Sequence, residues 1–578
     1  MKAKNSLLLV FLAGVLALSY LFSCKKIDIV QTTTTDVNIY DYLVKNGDKY
    51  SEFAKMVQKA GYSDFLNAYG AYTVFAPTND GVKAFLQDAG KATIDAFTVP
   101  EIQNIVKLHL IQDTINTSSF TDGKLPLVTM LGQYLITGVT NTNGASSYTV
   151  NRQALIVQPN ITLSNGIVHS IDHVLKAATK TVAQTVEANP DYSIFTQALK
   201  ETGYYDSLNI ANNPDTTRRF LTVFAETNKA IQDSGFATYA ALKARYSNTG
   251  DPKNASDSLH LYVAYHITTD ARYIADVVST TSIPTLAPLE VVTPSLDGQT
   301  VLLNDVVFNG NHERGIELDR TNSDITANNG VVHQAKGHFA IKIRVPVRVD
   351  FEPCDQPELR KLTTIFRKST TATAISGTGA GYTLARGFFA DMNWFSITST
   401  TSTVSYNCMP PTSTTYYGWH GDYLRIPEGN TSRNKWIEFK TPLLVKGKYK
   451  IWICYYRGKN SNNNPAFPSL VEFDGEAMQR TFDFSEQKPV GTPSELEALG
   501  YKQYTEAPTD NSTPDRNNVG RLVGVVDVKT TDRHTVRLTF LHPSSTGQEQ
   551  NWLDIIQFIP INDNQLRPIF GRDGSIIQ

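Results

Sequence analysis

The 578-residue chain is poor in the groups that most often do chemistry or tie a small fold together. Four cysteines are too few for a disulfide-built scaffold. Charge of one sign is missing as well: 53 lysines and arginines against 55 aspartates and glutamates leave a net charge of -2. That balance offers no basic face for nucleic acid. Beyond Ser23 no apolar run approaches the roughly 20 residues that a membrane span requires. No Gly-x-Ser-x-Gly elbow occurs. Gly377-Thr378-Gly379-Ala380-Gly381 superficially suggests a phosphate loop, but it lacks the flanking strand–helix pattern and the Lys-Ser/Thr pair. It reads instead as a flexible Ser/Thr-rich loop. Nothing marks a pair of glycosidase carboxylates. A protein that is not an enzyme is expected. Hydrophobic residues are 41% of the chain and charged residues 19%, enough to bury the cores of about three or four domains.

What is present begins at the N-terminus. Lys2 and Lys4 precede an uncharged stretch from Asn5 to Ser23, and Cys24 follows at once, before Lys25 and Lys26. A basic start, an apolar run and a break form a secretory signal. With a cysteine at the break it resembles the signals of bacterial lipoproteins. That resemblance implies cleavage before Cys24, lipidation of Cys24 and attachment to a membrane through the lipid. It further implies an outer-membrane protein, lipid-anchored at the cell surface. The alternative reading is an uncleaved membrane helix over the same run. Residues 1–23 are then a signal peptide and 24–36 a tether, whose Gln31-Thr32-Thr33-Thr34-Thr35 cannot pack a core.

The chain then repeats itself. Thr73-Val74-Phe75-Ala76-Pro77-Thr78-Asn79 returns as Thr222-Val223-Phe224-Ala225-Glu226-Thr227-Asn228. Asn165-Gly166-Ile167-Val168-His169 returns as Asn329-Gly330-Val331-Val332-His333, and Leu108-His109 between them returns as Tyr265-His266. Two copies of one domain follow, at 37–180 and 181–350. Gly81–Leu86 and Ile102–Leu110 carry helical spacing, and Asn165-Gly166 is a turn opening a strand. The second copy carries polar insertions near Asn212 and Asn248–Asn254, which belong in surface loops. It also departs at Glu226, which stands where the first copy has Pro77.

These boxes closely resemble the fasciclin family. The resemblance implies an α+β wedge of strands and short helices, and an extracellular adhesion or matrix-binding module without catalysis. In animal members the Tyr-His pair is linked to receptor contact. On the residues themselves, His266 reads as a histidine that satisfies buried backbone groups. His169 and His173 are four apart on an extended stretch, about 13 Å along a strand, too far for one zinc.

From Val345 the composition changes. Lys435–Phe439, Tyr449–Tyr456, Leu470–Phe473, Val523–Val528, Thr535–Phe540 and Leu553–Ile559 alternate as short strands. An all-β sandwich over 351–578 is expected. Gly447–Arg457, Val471–Gly475, His534–Leu538 and Asn551–Phe558 resemble the strands of jelly-roll carbohydrate-binding modules of the galactose-binding-like class. The fold class is therefore multidomain: two α+β fasciclin-like domains followed by a jelly-roll sandwich.

Sugar rings present apolar faces, so aromatic side chains in loops are candidate ligand residues. Tyr416, Tyr417, Trp419, His420 and Asp422 form one group. Trp394 is a second candidate, and Asn551 with Trp552 a third. Trp394 and Trp552 also read as core residues, and Trp452, in mid-strand, reads as core. Asp554 matches a position that holds structural calcium in some relatives, but reads on its own as a solvated or capping carboxylate. No other cofactor is expected. Cys354, Cys408 and Cys454 remain after Cys24, and a Cys354–Cys408 bridge is expected.

The architecture resembles surface lipoproteins of Bacteroidetes that serve TonB-dependent glycan uptake. Its partners are then a polysaccharide and a TonB-dependent transporter with its lipoprotein, and the fasciclin-like pair is a spacer or docking module. The alternative is an adhesion protein acting through that pair.

Overall fold

The structure, a computed structural model, describes residues 37–142, 145–370, 373, 381–396, 404–410, 412–428, 434–458, 468–510, 512–541 and 549–578. Cys24, the signal, the tether and Gly377–Ala380 lie outside the described residues. No described helix is long and apolar enough to cross a membrane. The chain forms two compact units that divide between Ala177 and Ala178.

In the first unit the expected helices are present at Asn79–Asp88 and Val99–Leu108. Each starts at a threonine whose hydroxyl accepts a first-turn N–H: Gly81 donates to Thr78 and Glu101 to Thr98. A sheet of seven described strands runs beside them, and its central pair, Tyr72–Pro77 and Gly166–Ile171, is parallel. The repeated boxes are the two halves of that pair. The second copy repeats the arrangement, with Leu221–Glu226 parallel to Gly330–Ala335.

The asparagine, glycine and histidine of the second box each have one structural task, done twice. Asn165 accepts from Ile39 N at 2.9 Å and donates to Leu66 O and Ala68 O at 2.7 and 3.0 Å. Asn329 accepts from Val182 N at 2.8 Å and donates to Leu208 O and Ile210 O, both at 2.9 Å. Gly166 and Gly330 hold φ near +153° and +155°. A Cβ there would lie 2.0 Å from Tyr72 O or 1.8 Å from Leu221 O, so only glycine fits. His169 accepts from Asn160 N at Nδ1, and Nε2 donates to Ile115 O at 2.9 Å. His333 does the same between Asp324 N and Arg272 O. His173 is exposed and bonds Asp172.

The second unit continues past the second copy into two antiparallel sheets. Strand Glu549–Pro560 lies inside one, paired with Asp422–Glu428, Gly447–Tyr456 and Val349–Phe351. The other is built from Met392–Ser396, Asn434–Leu444, Asp532–Phe540, Ser469–Phe473 and Glu476–Ala477. Strand Asp532–Phe540 alternates buried and half-buried residues without a break, as one apolar face demands. Phe439, Leu538, Ile451 and Phe558 from both sheets share one core, which makes the region a β-sandwich. Trp452 and Cys454 are buried in its first sheet. The expected Cys354–Cys408 bridge is not formed: Cys354, Cys408 and Cys454 are all free and buried. Cys354 and Cys408 sit in the shared apolar core, where burial pushes both thiols up and keeps them protonated.

Candidate functional site

The Tyr416–Tyr423 segment is held from beneath by two side chains of the sandwich. Tyr423 is fully buried, and its hydroxyl accepts from Gly418 N at 2.6 Å. Asp554, from the inner strand Glu549–Pro560, accepts from Trp419 N at 3.0 Å. Together they shape a single turn, Trp419–Gly421. The Trp419 ring packs on Phe570 at 4.5 Å and stacks on His420 at 4.8 Å. Its Nε1 donates to Gly574 O at 3.3 Å.

Trp419 and His420 line a cleft of about 610 Å³ between the sandwich and the second repeat. Arg367, Lys440 and Arg533 line it from the sandwich, and Asp305, Val306 and Val307 from the repeat. Those three residues open a hairpin, Val306–Phe308 with Asn311–Glu313. Asp305 Oδ1 is fixed by Gly315 N at 2.8 Å and His312 Nε2 at 3.1 Å. Three of the arginines that line it are paired: Arg360 with Asp355, Arg367 with Glu352, and Arg533 with Asp391 at 2.5, 3.0 and 2.7 Å. The half-buried indole and its stacked imidazole give the cleft an apolar aromatic wall, and the fixed donors and acceptors beside it are suited to a ligand's hydroxyls.

Behind this wall lies a group of buried acids. His420 Nδ1 and Arg367 Nη2 both donate to Glu352 Oε2 at 3.0 Å. Burial pushes Glu352 up to about 7, against the Arg367 charge. Burial, then Glu352 itself, raises Asp422 well above the carboxylate range. Tyr406 donates its hydroxyl to Asp422 at 2.7 Å. Asp554 is buried, not solvated, and caps the Trp419 turn. Glu352, Asp422 and Asp554 each keep one oxygen without a hydrogen-bond partner, the donor chemistry calcium takes. They are nevertheless not gathered as ligands: no group of three or more His, Cys, Asp or Glu among the described residues could hold a metal ion.

Of the expected ligand residues, only Trp419 and His420 line the cleft. Trp394 is 2% exposed, because Met392–Ser396 alternates and turns Trp394 inward and Phe395 outward. Asp422, Asn551 and Trp552 are buried and offer no face to a ligand. Tyr416 is half-buried and packs on Tyr456, Tyr423 and Trp552. Tyr417 is half-buried and lies under the Arg572 guanidinium, 4.4 Å from its ring centroid. Arg367, Lys440, Arg533 and Asp305 were not singled out in the sequence. Alternation could have placed Lys440 and Arg533 on an outer face, but no local signal pairs them with Trp419.

In the second repeat Tyr265 and His266 are buried. The Tyr265 hydroxyl donates to Val291 O and accepts from Asn304 Nδ2, both at 3.0 Å. His266 bonds Tyr262 O at Nδ1, as a backbone-satisfying histidine should, but bonds the Glu226 carboxylate at Nε2.

Comparison with known proteins places the repeats. The fasciclin domain family matches residues 48–177 and 190–336. The transforming growth factor-beta-induced protein ig-h3 of Sus scrofa is 33% identical over 135 residues, 23% of this chain and 18% of that protein. Human periostin is 24% identical over 287 residues, 49% of this chain and 29% of that protein. The chain spans less than a third of the length of either relative. The solved domain pair of the insect cell adhesion molecule fasciclin I is 19% identical, with a TM-score of 0.23 over 51% of this chain and 98% of its own. The chain carries two tandem fasciclin domains, at residues 48–177 and 190–336.

Proposed function

We propose that this chain is a non-enzymatic, lipid-anchored surface protein that captures a glycan in the cleft between its sandwich and its second fasciclin domain. The observation that carries the reading is Trp419, held on the cleft wall by Asp554 and flanked by His420 and paired charges. Covering one ring face of a sugar buries roughly 50–100 Å² and contributes on the order of 1–2 kcal/mol. The fixed carboxylates and guanidinium forks beside it select among hydroxyl patterns. Because Asp305–Val307 form part of the lining, the second fasciclin domain is a wall of the site as well as a spacer. Cys24 carries the acyl groups, the outer membrane is the compartment, and delivery to a TonB-dependent transporter and its lipoprotein partner is the role. Radiolabelled fatty acid incorporated by the wild type and lost in Cys24→Ser checks the anchor.

The test of capture is binding of the full chain to a broad panel of soluble glycans, beside Trp419→Ala. We expect at least one glycan to bind, and to bind about tenfold or more weakly to the variant. No binding to any glycan overturns the reading. The second reading, adhesion through the fasciclin pair, is favoured by the two matched domains themselves. Adhesion that survives loss of residues 351–578 would support it.

A further inference from the structure

Glu226, the residue that departs from the first repeat, is fully buried. Four groups converge on its carboxylate. His266 Nε2 and Phe339 N meet Oε1, both at 2.8 Å. His338 Nδ1 and the Tyr262 hydroxyl meet Oε2 at 2.7 and 2.9 Å. Tyr246, at the end of the neighbouring helix, bonds His338 Nε2 at 2.8 Å. Both nitrogens of His266 are engaged, Nδ1 by Tyr262 O at 2.8 Å and Nε2 by the Glu226 carboxylate.

The first repeat closes differently. There Leu175 N donates directly to His109 Nε2 at 3.0 Å. Leu175 stands ten residues after Asn165, as Phe339 stands ten after Asn329, and Val174 corresponds to His338. In the second repeat a carboxylate is thus inserted between the histidine and the departing backbone, and a second imidazole grips it.

The departing segment, 337–348, has no regular structure. It is held again farther on. Arg344 donates to both oxygens of Glu313 at 2.6 and 2.8 Å, and Lys342 pairs with the same carboxylate. The Arg344 guanidinium lies 4.3 Å from the Phe308 ring centroid. Glu313 and Phe308 belong to the hairpin whose first strand lines the cleft. The segment then enters the sandwich as strand Val349–Phe351.

We infer that Glu226 and Glu313 are two clasps on a strap, residues 337–348, that positions the fasciclin wall of the cleft against the sandwich. Both are positioning residues. The inference rests on reading the cleft as the ligand site, but the strap itself can be observed without any ligand. Its pH dependence follows from the groups around each clasp. Burial pushes Glu226 up, yet the bonds from His266 and His338 outweigh it and bring it down to about 2. Arg344 first, then Lys342, hold Glu313 at about 2 against partial burial. A lowered carboxyl stabilises above its unfolded value of 4.5 and loses that contribution as the pH falls. The strap therefore loses the contribution of both carboxylates as the pH falls below about 5, and loosens in acid.

The test is amide hydrogen exchange of the full chain by mass spectrometry, corrected for intrinsic rates, across pH 7 to 4. In the wild type we expect flat protection of residues 338–344 down to about pH 5 and a loss below it. Glu226→Gln should raise exchange of 338–344 about tenfold or more at pH 7 and flatten the acid step at Phe339, because no carboxylate is left there to protonate. Unchanged protection in a folded Glu226→Gln protein overturns the inference. If that variant does not fold, Glu313→Gln decides it. Faster exchange of 340–344 together with hairpin 306–313 supports the strap, and a change in only one of them overturns it.

Discussion

The two fasciclin domains use the same residues for the same tasks until the chain leaves the domain, and there they part. Asn165 and Asn329 each tie three backbone groups. His169 and His333 each bridge two. At the exit, the first domain closes with a neutral, buried histidine and the second with an imidazole–carboxylate network. The difference teaches where to look for function in a repeated domain. Residues that recur with identical partners hold the fold and are not free to bind. A residue that changes, as Pro77 does to Glu226, marks a task that one copy alone performs. That copy is the one continuous with the sandwich.

The largest expected effect separates the copies outright. Glu226→Ala leaves two imidazoles and a buried N–H without their acceptor, and should cost the second domain about 3–5 kcal/mol. Urea unfolding of the full chain would show a second-domain transition at lower denaturant, with the first domain unmoved. Asn165→Ala and Asn329→Ala test the shared tasks. Each strands two buried backbone groups and one part-buried carbonyl, at about 1 kcal/mol or more for each buried group, so each should cost its own domain about 2–3 kcal/mol. Clearly unequal losses would break the claim of equal tasks.

Acid should also divide the copies. Burial lowers His109 to about 4, only partly offset by its bond to Ile105 O. The unfolded ring takes a proton below 6.5 and the folded ring does not. The first domain is thus most stable above 6.5 and weakens as the pH falls towards 4, by about 3 kcal/mol in all. His109→Gln should flatten that slope. An effect of similar size and opposite sign belongs to the sandwich. Glu352 is raised to about 7, so the sandwich is most stable below 4.5 with respect to this group and weakens as the pH rises through 7. Glu352→Gln should remove that decline, read as the sandwich midpoint in urea at pH 5 and pH 8.

Much of the fold was legible because its signals are local. The recurring boxes, the helices after Thr78 and Thr98, and the alternation of Asp532–Phe540 all lie within single short stretches. The site was only half legible. Glycines around Trp419 marked a turn, and the indole proved to line a cleft. Of the two readings of Trp394, the core one holds, because its neighbour Phe395 takes the outward parity of the same strand. The cleft's other groups come from residues 305, 367, 440 and 533, and no spacing rule joins positions so far apart. Glu226 stood out as a departure, but its partner His338 is 112 residues away. The Cys354–Cys408 expectation failed because pairing is a matter of geometry between distant positions, which no local signal carries.

The most direct measurement compares the two walls of the cleft in one binding experiment. Calorimetric titration of a glycan identified on the panel would be run on the full chain, on Trp419→Ala and on Asp305→Ala. A shared site should weaken binding in both variants, about tenfold or more for the indole and less for the carboxylate, with the fold intact by circular dichroism. Binding untouched by either substitution would contradict the cleft as the site of capture. Binding lost only with Trp419 would return the second fasciclin domain to the role of a spacer.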